Sequence, residues 1–289
     1  MTTAALEPQA GRRCYTVVNP LHSAVYFAPE HDDELAALGL KRGSMAYFAG
    51  RAAPLGAVGA GAVTATFYNF SRDLVARCVP AAWEIASPEA VLAARQRAVD
   101  SVLTRLLGAE VVASPEVAEA AGLALRAAEA CGREARALYS GNADLPVPEQ
   151  PHLALWHAAT LLREHRGDGH LMALAGAGLD GLEALVTHSA TGKGSTPKFS
   201  QLSRGWTSEQ WSAAQARLRK RGLLDAAGEL TKDGVALRGD IEAVTDRLDR
   251  APYEHLGPTG VERLTALAGG FAQAIMAGGG FPKQHFGKG

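Results

Sequence analysis

Apolar residues along this chain recur at helical spacing, and the runs between them open on strong start signals. Ser87-Pro88-Glu89 supplies a capping hydroxyl, a proline at the first helical position and an acid in the first turn. With Val91, Leu92, Val99, Val102, Leu103 and Leu106 behind it, this predicts a helix from Pro88 to Leu107. Ser114-Pro115-Glu116 repeats the signal and predicts a helix to about Tyr139, and Ser71 caps another to about Ala82. Asp32–Leu40 reads as a short helix, and His22–Phe27 as helix or a short extended piece. Thr207 and Gln210 form a capping box for a helix that stops at Gly222. Leu223–Thr231 then reads as two very short strands around Ala227-Gly228, and Lys232 opens a further helix. The stretch Leu155–Leu179 differs from the rest. It begins apolar and periodic, turns polar from Arg163 to His170, and becomes apolar again, so a helix Leu153–Arg166 is expected to end at Gly167.

The order of these features runs twice. His22–Glu30 is answered by His157–His165, Phe70-Ser71 before a helix by Trp206-Thr207 before a helix, and Ser114-Pro115 by Gly257-Pro258. The proline-rich stretch 140–151 lies between the copies. The pattern predicts a mainly α protein of two tandem, related winged-helix-like halves, 14–140 and 151–277, with small β-hairpin wings and a pseudo-two-fold relation. Residues 1–13 and 278–289 are expected to be flexible termini.

Helix, capping box, glycine stop, small hairpin and long helix is the order of a winged helix, and Thr207–Leu248 resembles the multiple-antibiotic-resistance-regulator (MarR) type. Over about residues 15–275 the chain resembles an actinobacterial family of SalK-type helix-turn-helix proteins, whose members accompany specialised-metabolite gene clusters. The runs His22–Glu30, Tyr47–Gly56, Thr66–Phe70, Arg163–His170 and Ser203–Trp206 carry this resemblance. It implies the two-half helical fold and no settled reaction.

Composition narrows the function classes. At 289 residues, 47% hydrophobic and 20% charged, the chain has ample core, and a net charge of −1 gives no global attraction to nucleic acid or anionic membrane. Residues 193–238 are locally basic, with nine Lys/Arg against four Asp/Glu. The first residues of the would-be recognition helix are nevertheless Ser208, Glu209, Gln210 and Trp211, and the wing carries no Lys or Arg. DNA is therefore a possible but disfavoured partner. Three isolated cysteines, Cys14, Cys78 and Cys131, argue for a reducing compartment. The start of the chain lacks a signal-peptide core and the apolar run Ala52–Val63 is too short and broken to span a bilayer, so a cytoplasmic protein without membrane contact is expected.

Five of the nine histidines fall between His152 and His188. His157 and Glu164, seven apart, share a helix face, and His165 is turned away by a little under a right angle. Beside Arg163 and Arg166 such groups suit acid–base work, which makes His157, Glu164 and His165 the candidate catalytic residues; the arginines could equally bind a carboxylate or phosphate. A charged, solvated helix end is the alternative. His22, Arg51 in its aromatic setting, Tyr68 and His188 are the candidate ligand-binding residues, gathered in a pocket between the halves. No metal is expected, because HExxH is absent and no histidine spacing is ligand-specific. No cofactor, reaction or oligomeric state is readable. The leading expectation is a binder or enzyme of specialised metabolism acting on a small molecule. A ligand-responsive transcription regulator and a DNA-repair enzyme are the alternatives.

Overall fold

A computed structural model describes residues 6, 7 and 9–287. The helices in chain order are α1 (Ala10–Ser23), α2 (Pro29–Ala36), α3 (Ser44–Ala52), α4 (Ala60–Phe67), α5 (Arg72–Ile85), α6 (Pro88–Leu107), α7 (Ala109–Val112), α8 (Pro115–Ala128), α9 (Ala137–Ala143), α10 (Pro151–Gly176), α11 (Gly181–Ala190), α12 (Pro197–Arg204), α13 (Ser208–Lys220), α14 (Lys232–Leu248) and α15 (Arg250–Ala277). The protein is mainly α, as the periodicity predicts. Extended pairing among the described residues is limited to two single bridges, Ser195 with Phe286 and Leu224 with Leu230. The expected hairpin wing is thus one bridge in the second half, and no bridge falls within 14–140. None of the helices is long and apolar enough to cross a membrane.

Local chemistry sets the helix starts. Ser87 Oγ accepts the Ala90 N–H and Ser114 Oγ the Val117 N–H, each ahead of a proline at the first helical position. Thr207 and Gln210 form the reciprocal capping box, and so do Asp180 and Glu183 at α11. Gly222 adopts φ 72°, and Gly257, at φ 76°, breaks α15 just before Pro258.

Four expectations are corrected. Residues 10–13 of the expected lead-in belong to α1, and residues 1–5 and 8 lie outside the described residues. The helix expected to reach Tyr139 stops at Ala128, where the apolar period fails before Gly132, and the separate helix α9 occupies part of the supposed linker. Of the terminus expected to be flexible, 288 and 289 lie outside the described residues, whereas Phe281 packs on the Phe27 ring at 5.5 Å and His285 stacks on Phe199 at 4.0 Å. Gly167 does not end a helix. A mid-helix glycine costs only about 1 kcal/mol, and Glu164, His165, Arg166 and Asp168 are all buried, so tertiary contacts carry α10 through the polar run.

The described chain forms two compact units that do not coincide with the two halves. Unit 1 takes the residues up to Ala57, Ala82–Gly169 and Asp246–Phe281; unit 2 takes Val58–Ala81, His170–Thr245 and the residues from Pro282 on. In unit 1, α1 lies along α15, α15 packs on α8, and α2 packs on α6. The contact of α1 with α15 is close: a Cβ on Gly11 would sit 2.6 Å from the Tyr253 ring. Unit 2 has its own core, including Leu174, Leu179, Leu182, Ala214, Leu218 and Ile241.

Candidate functional site

In unit 1 the polar run of α10 meets charged and aromatic side chains from α1 and α3. Glu164, 1% exposed, is gripped by two guanidiniums. Arg51, on the last turn of α3, donates from Nη2 to Oε2 at 3.0 Å and from Nε to Oε1 at 3.3 Å. Arg163 donates from Nη1 to Oε1 at 2.6 Å. Arg51 also donates to the Tyr47 hydroxyl, one turn back, at 3.2 Å. Burial alone would raise the Glu164 pKa, but the Arg163 and Arg51 charges outweigh it and hold the carboxyl down at about 2. Together these three groups carry one more positive than negative charge, and Arg163 Nε is buried without a hydrogen-bond partner.

His22 sits on the last turn of α1 and is 1% exposed. Its Nδ1 is 2.7 Å from Thr160 Oγ1, and that hydroxyl donates its proton to the Trp156 carbonyl at 2.8 Å. Thr160 must therefore accept from His22 Nδ1–H, which leaves Nε2 to accept from the Tyr26 hydroxyl at 3.0 Å. Burial, then the nearby Arg163 charge, depresses the His22 pKa, so the neutral Nδ1–H tautomer is the resident form. Burial raises the Tyr26 pKa to about 12, so its phenol stays protonated. The Trp156 ring stacks on His22 with centroids 5.1 Å apart.

His165 faces another way. Its Nδ1 is 2.8 Å from Asp249 Oδ1, and Arg166 reaches Asp246 at 2.9 Å. Asp168, on the same helix, accepts the Tyr139 N–H at 3.0 Å, and burial raises its pKa to about 6. Arg136 donates to the His165 carbonyl, and to that of Leu248 at 2.7 Å. It fills the space beside Gly169, where an added Cβ would lie 2.8 Å from Nη1. These contacts fasten α10 to α9, to the last turn of α14 and to Asp249 just after it.

The expected residues therefore separate. Arg51, Glu164 and His22 belong to one neighbourhood. His165 is committed to Asp249, and His157 lines a cavity with Trp156 and Arg95. Tyr68 and His188 belong to unit 2. There the Tyr68 hydroxyl donates to the Leu179 carbonyl at 2.6 Å, and the His188 ring lies over Gly194, whose Cβ position is 2.3 Å from Nε2. Arg95 went unseen in the sequence although a signal was present: it stands four residues after Val91 and four before Val99, on the apolar face of α6. Among the described residues, no three His, Cys, Asp or Glu side chains group to hold a metal.

Unit 2 contains α12, a tight turn at Gly205 (φ 72°), α13 and the Leu224–Leu230 bridge in succession. The arginines of α13 and its end are engaged at home, while Lys220 is exposed. Arg217 pairs with Asp180 at 2.7 Å and Glu183 at 2.9 Å, Arg221 with Glu183 at 3.1 Å, and Arg219 donates to the Asp225 carbonyl at 3.0 Å. Glu209, Gln210, Ser212, Ala213 and Ala216 are exposed on α13.

Residues 11–282 match the model of a family described as a helix-turn-helix family. No curated protein and no solved structure matches the chain.

Proposed function

We propose that this chain, which belongs to this helix-turn-helix family, binds a small organic anion in unit 1, at Arg51 and Arg163. One observation carries the reading: two guanidiniums share a single buried carboxylate. Arg163 Nε is buried without a hydrogen-bond partner, and an incoming carboxylate or phosphate would accept from it in a charge-assisted hydrogen bond. Glu164 is the positioning residue that fixes both guanidiniums, and neutral His22 orients the Tyr26 phenol. Glu164 is ionised across the physiological range and offers no proton to a substrate, which favours binding over acid catalysis by this group. The resemblance to SalK-type proteins supports a setting in specialised metabolism, in the cytoplasm. The recurring order of helices supports descent of residues 14–140 and 151–277 from one ancestral half. Calorimetric titration with inorganic phosphate, phenyl phosphate and citrate tests the binding. At least one should bind the protein and lose tenfold or more in affinity with Arg163→Met. No binding by any of them, or binding indifferent to that substitution, overturns the proposal.

A second reading is a transcription regulator that binds DNA through unit 2. The succession of α12, turn, α13 and bridge favours it, as does membership of the family. The engaged arginines and a wing bearing Asp225 and Glu229 oppose it, because phosphate contacts supply most non-specific affinity. An electrophoretic shift on neighbouring promoter DNA at low salt discriminates the two.

A further inference from the structure

A cavity of about 270 Å³ lies within unit 1, between α6, the start of α10 and the chain that leads into it. Its floor is Arg95, Trp156 and His157, which are 5%, 6% and 4% exposed; its walls include Leu92, Val99 and Leu153. Arg95 is unusual for a buried cation. It donates to the Gly50 carbonyl at 3.1 Å and to Asn142 Oδ1 at 3.5 Å, and its guanidinium carbon lies 5.2 Å from the Trp156 ring centre. Among the described residues no Asp or Glu forms an ion pair with it. A guanidinium carries five N–H donors, so these two hydrogen bonds leave capacity unused. His157 has no hydrogen-bond partner among the described residues. Burial, then the Arg95 charge, lowers its pKa to about 4, so at neutral pH it offers one donor and one acceptor and no second charge.

We propose that this cavity is a second binding site, for a small monocarboxylic acid whose carboxylate meets Arg95 while its apolar body lies against Trp156, Leu92, Val99 and Leu153. The volume suits a compact ligand, near the lower end of the range of about 300–1,000 Å³ typical of small-molecule pockets. The lining sets the chemistry: one buried cation without an ion pair among the described residues and one neutral imidazole, set among mostly apolar side chains, with Glu89 and Gln96 also on the lining. The site uses none of the residues assigned to the Arg51–Arg163 cluster, so either assignment can fail alone.

Calorimetric titration at pH 7 with benzoate, hexanoate and benzamide tests it. Benzoate or hexanoate should bind, with benzamide at least tenfold weaker than benzoate. Ala93→Trp, at the cavity lining, should abolish binding of the acids while leaving the unfolding midpoint in place. Arg95→Met should erase the preference for acid over amide. It also loses the bonds to Gly50 and Asn142, so Ala93→Trp carries the test if that variant folds poorly. Ala93→Trp should leave binding of inorganic phosphate unchanged, which separates this site from the first. Absence of binding by both acids at about 10 mM, weaker than any useful millimolar affinity, overturns the proposal. So does equal affinity for benzoate and benzamide, or benzoate binding unaffected by Ala93→Trp.

Discussion

Replacing Glu164 by glutamine removes one negative charge and almost no volume. It leaves Arg51 and Arg163, with side chains only 13% and 21% exposed, without the anion that holds them. The magnitude can be worked from the carboxyl group itself. Its pKa lies at about 2 rather than the ordinary 4.5, despite burial that pushes the other way, so the fold favours the ionised form by about 3 kcal/mol. Breaking a buried pair by removing one partner typically costs about 3–5 kcal/mol. Glu164→Gln should therefore lower the unfolding free energy in urea at pH 7 by about 3 kcal/mol. The depressed pKa gives the sign of the pH dependence. The stabilisation is complete above about 4.5 and is lost as pH falls toward 2, so the gap between protein and variant should close over that window. A gap under about 1 kcal/mol at pH 7, no larger than that of a surface ion pair, or a full gap surviving near pH 2, would refute the reasoning.

Asp168→Asn should act in the opposite sense. A carboxyl raised to about 6 by burial costs the fold stability as pH climbs from 3.8 through 6, so the variant, which still accepts the Tyr139 N–H, should be more stable by about 1–3 kcal/mol at pH 8 and equal at pH 4; urea titrations at the two pH values check this, and a gap of one size at both refutes it. Gly181→Ala should destabilise by about 2 kcal/mol or more, because the new Cβ would fall 2.0 Å from the Tyr68 carbonyl oxygen; a thermal melt unchanged from the parent refutes that contact. Electrophoretic shifts at low salt should show no site-specific complex with neighbouring promoter DNA; a tight one would reverse the order of the two functional readings.

Start signals were legible in the sequence wherever the chemistry is local. Ser87, Ser114 and Thr207 each cap with a hydroxyl and a backbone N–H three residues on, and nothing distant is needed. The stops were less so. Gly167 reads as a terminator, and only the burial of Glu164, His165 and Asp168 by other elements explains why α10 runs past it. The site shows the same division. Arg51 was identifiable from its aromatic surroundings and Glu164 from its place in the polar run, but a pairing across 113 residues is a tertiary fact. His165 resembled an acid–base group until Asp249 claimed it, and Asp249 stands beyond the end of α14 with no motif to announce it. Arg95 was legible in principle, since its helical phase places a charge among valines, but the flanking Gln96 and Arg97 make the segment read as surface.

The interleaving of the chain has a consequence for how the protein is made. α1 is buried along α15, and Tyr253 and Leu264 belong to the same core as Cys14 and Val18. During synthesis the first helix therefore leaves the ribosome long before its partner exists, and its apolar face stays uncovered until nearly the whole chain has emerged. Contacts this distant in sequence slow folding and lengthen exposure to aggregation. A product terminated before Tyr253 would carry an unfinished unit 1 and should accumulate as insoluble material, so expression is best supported by lower temperature and by chaperones that act on released chains.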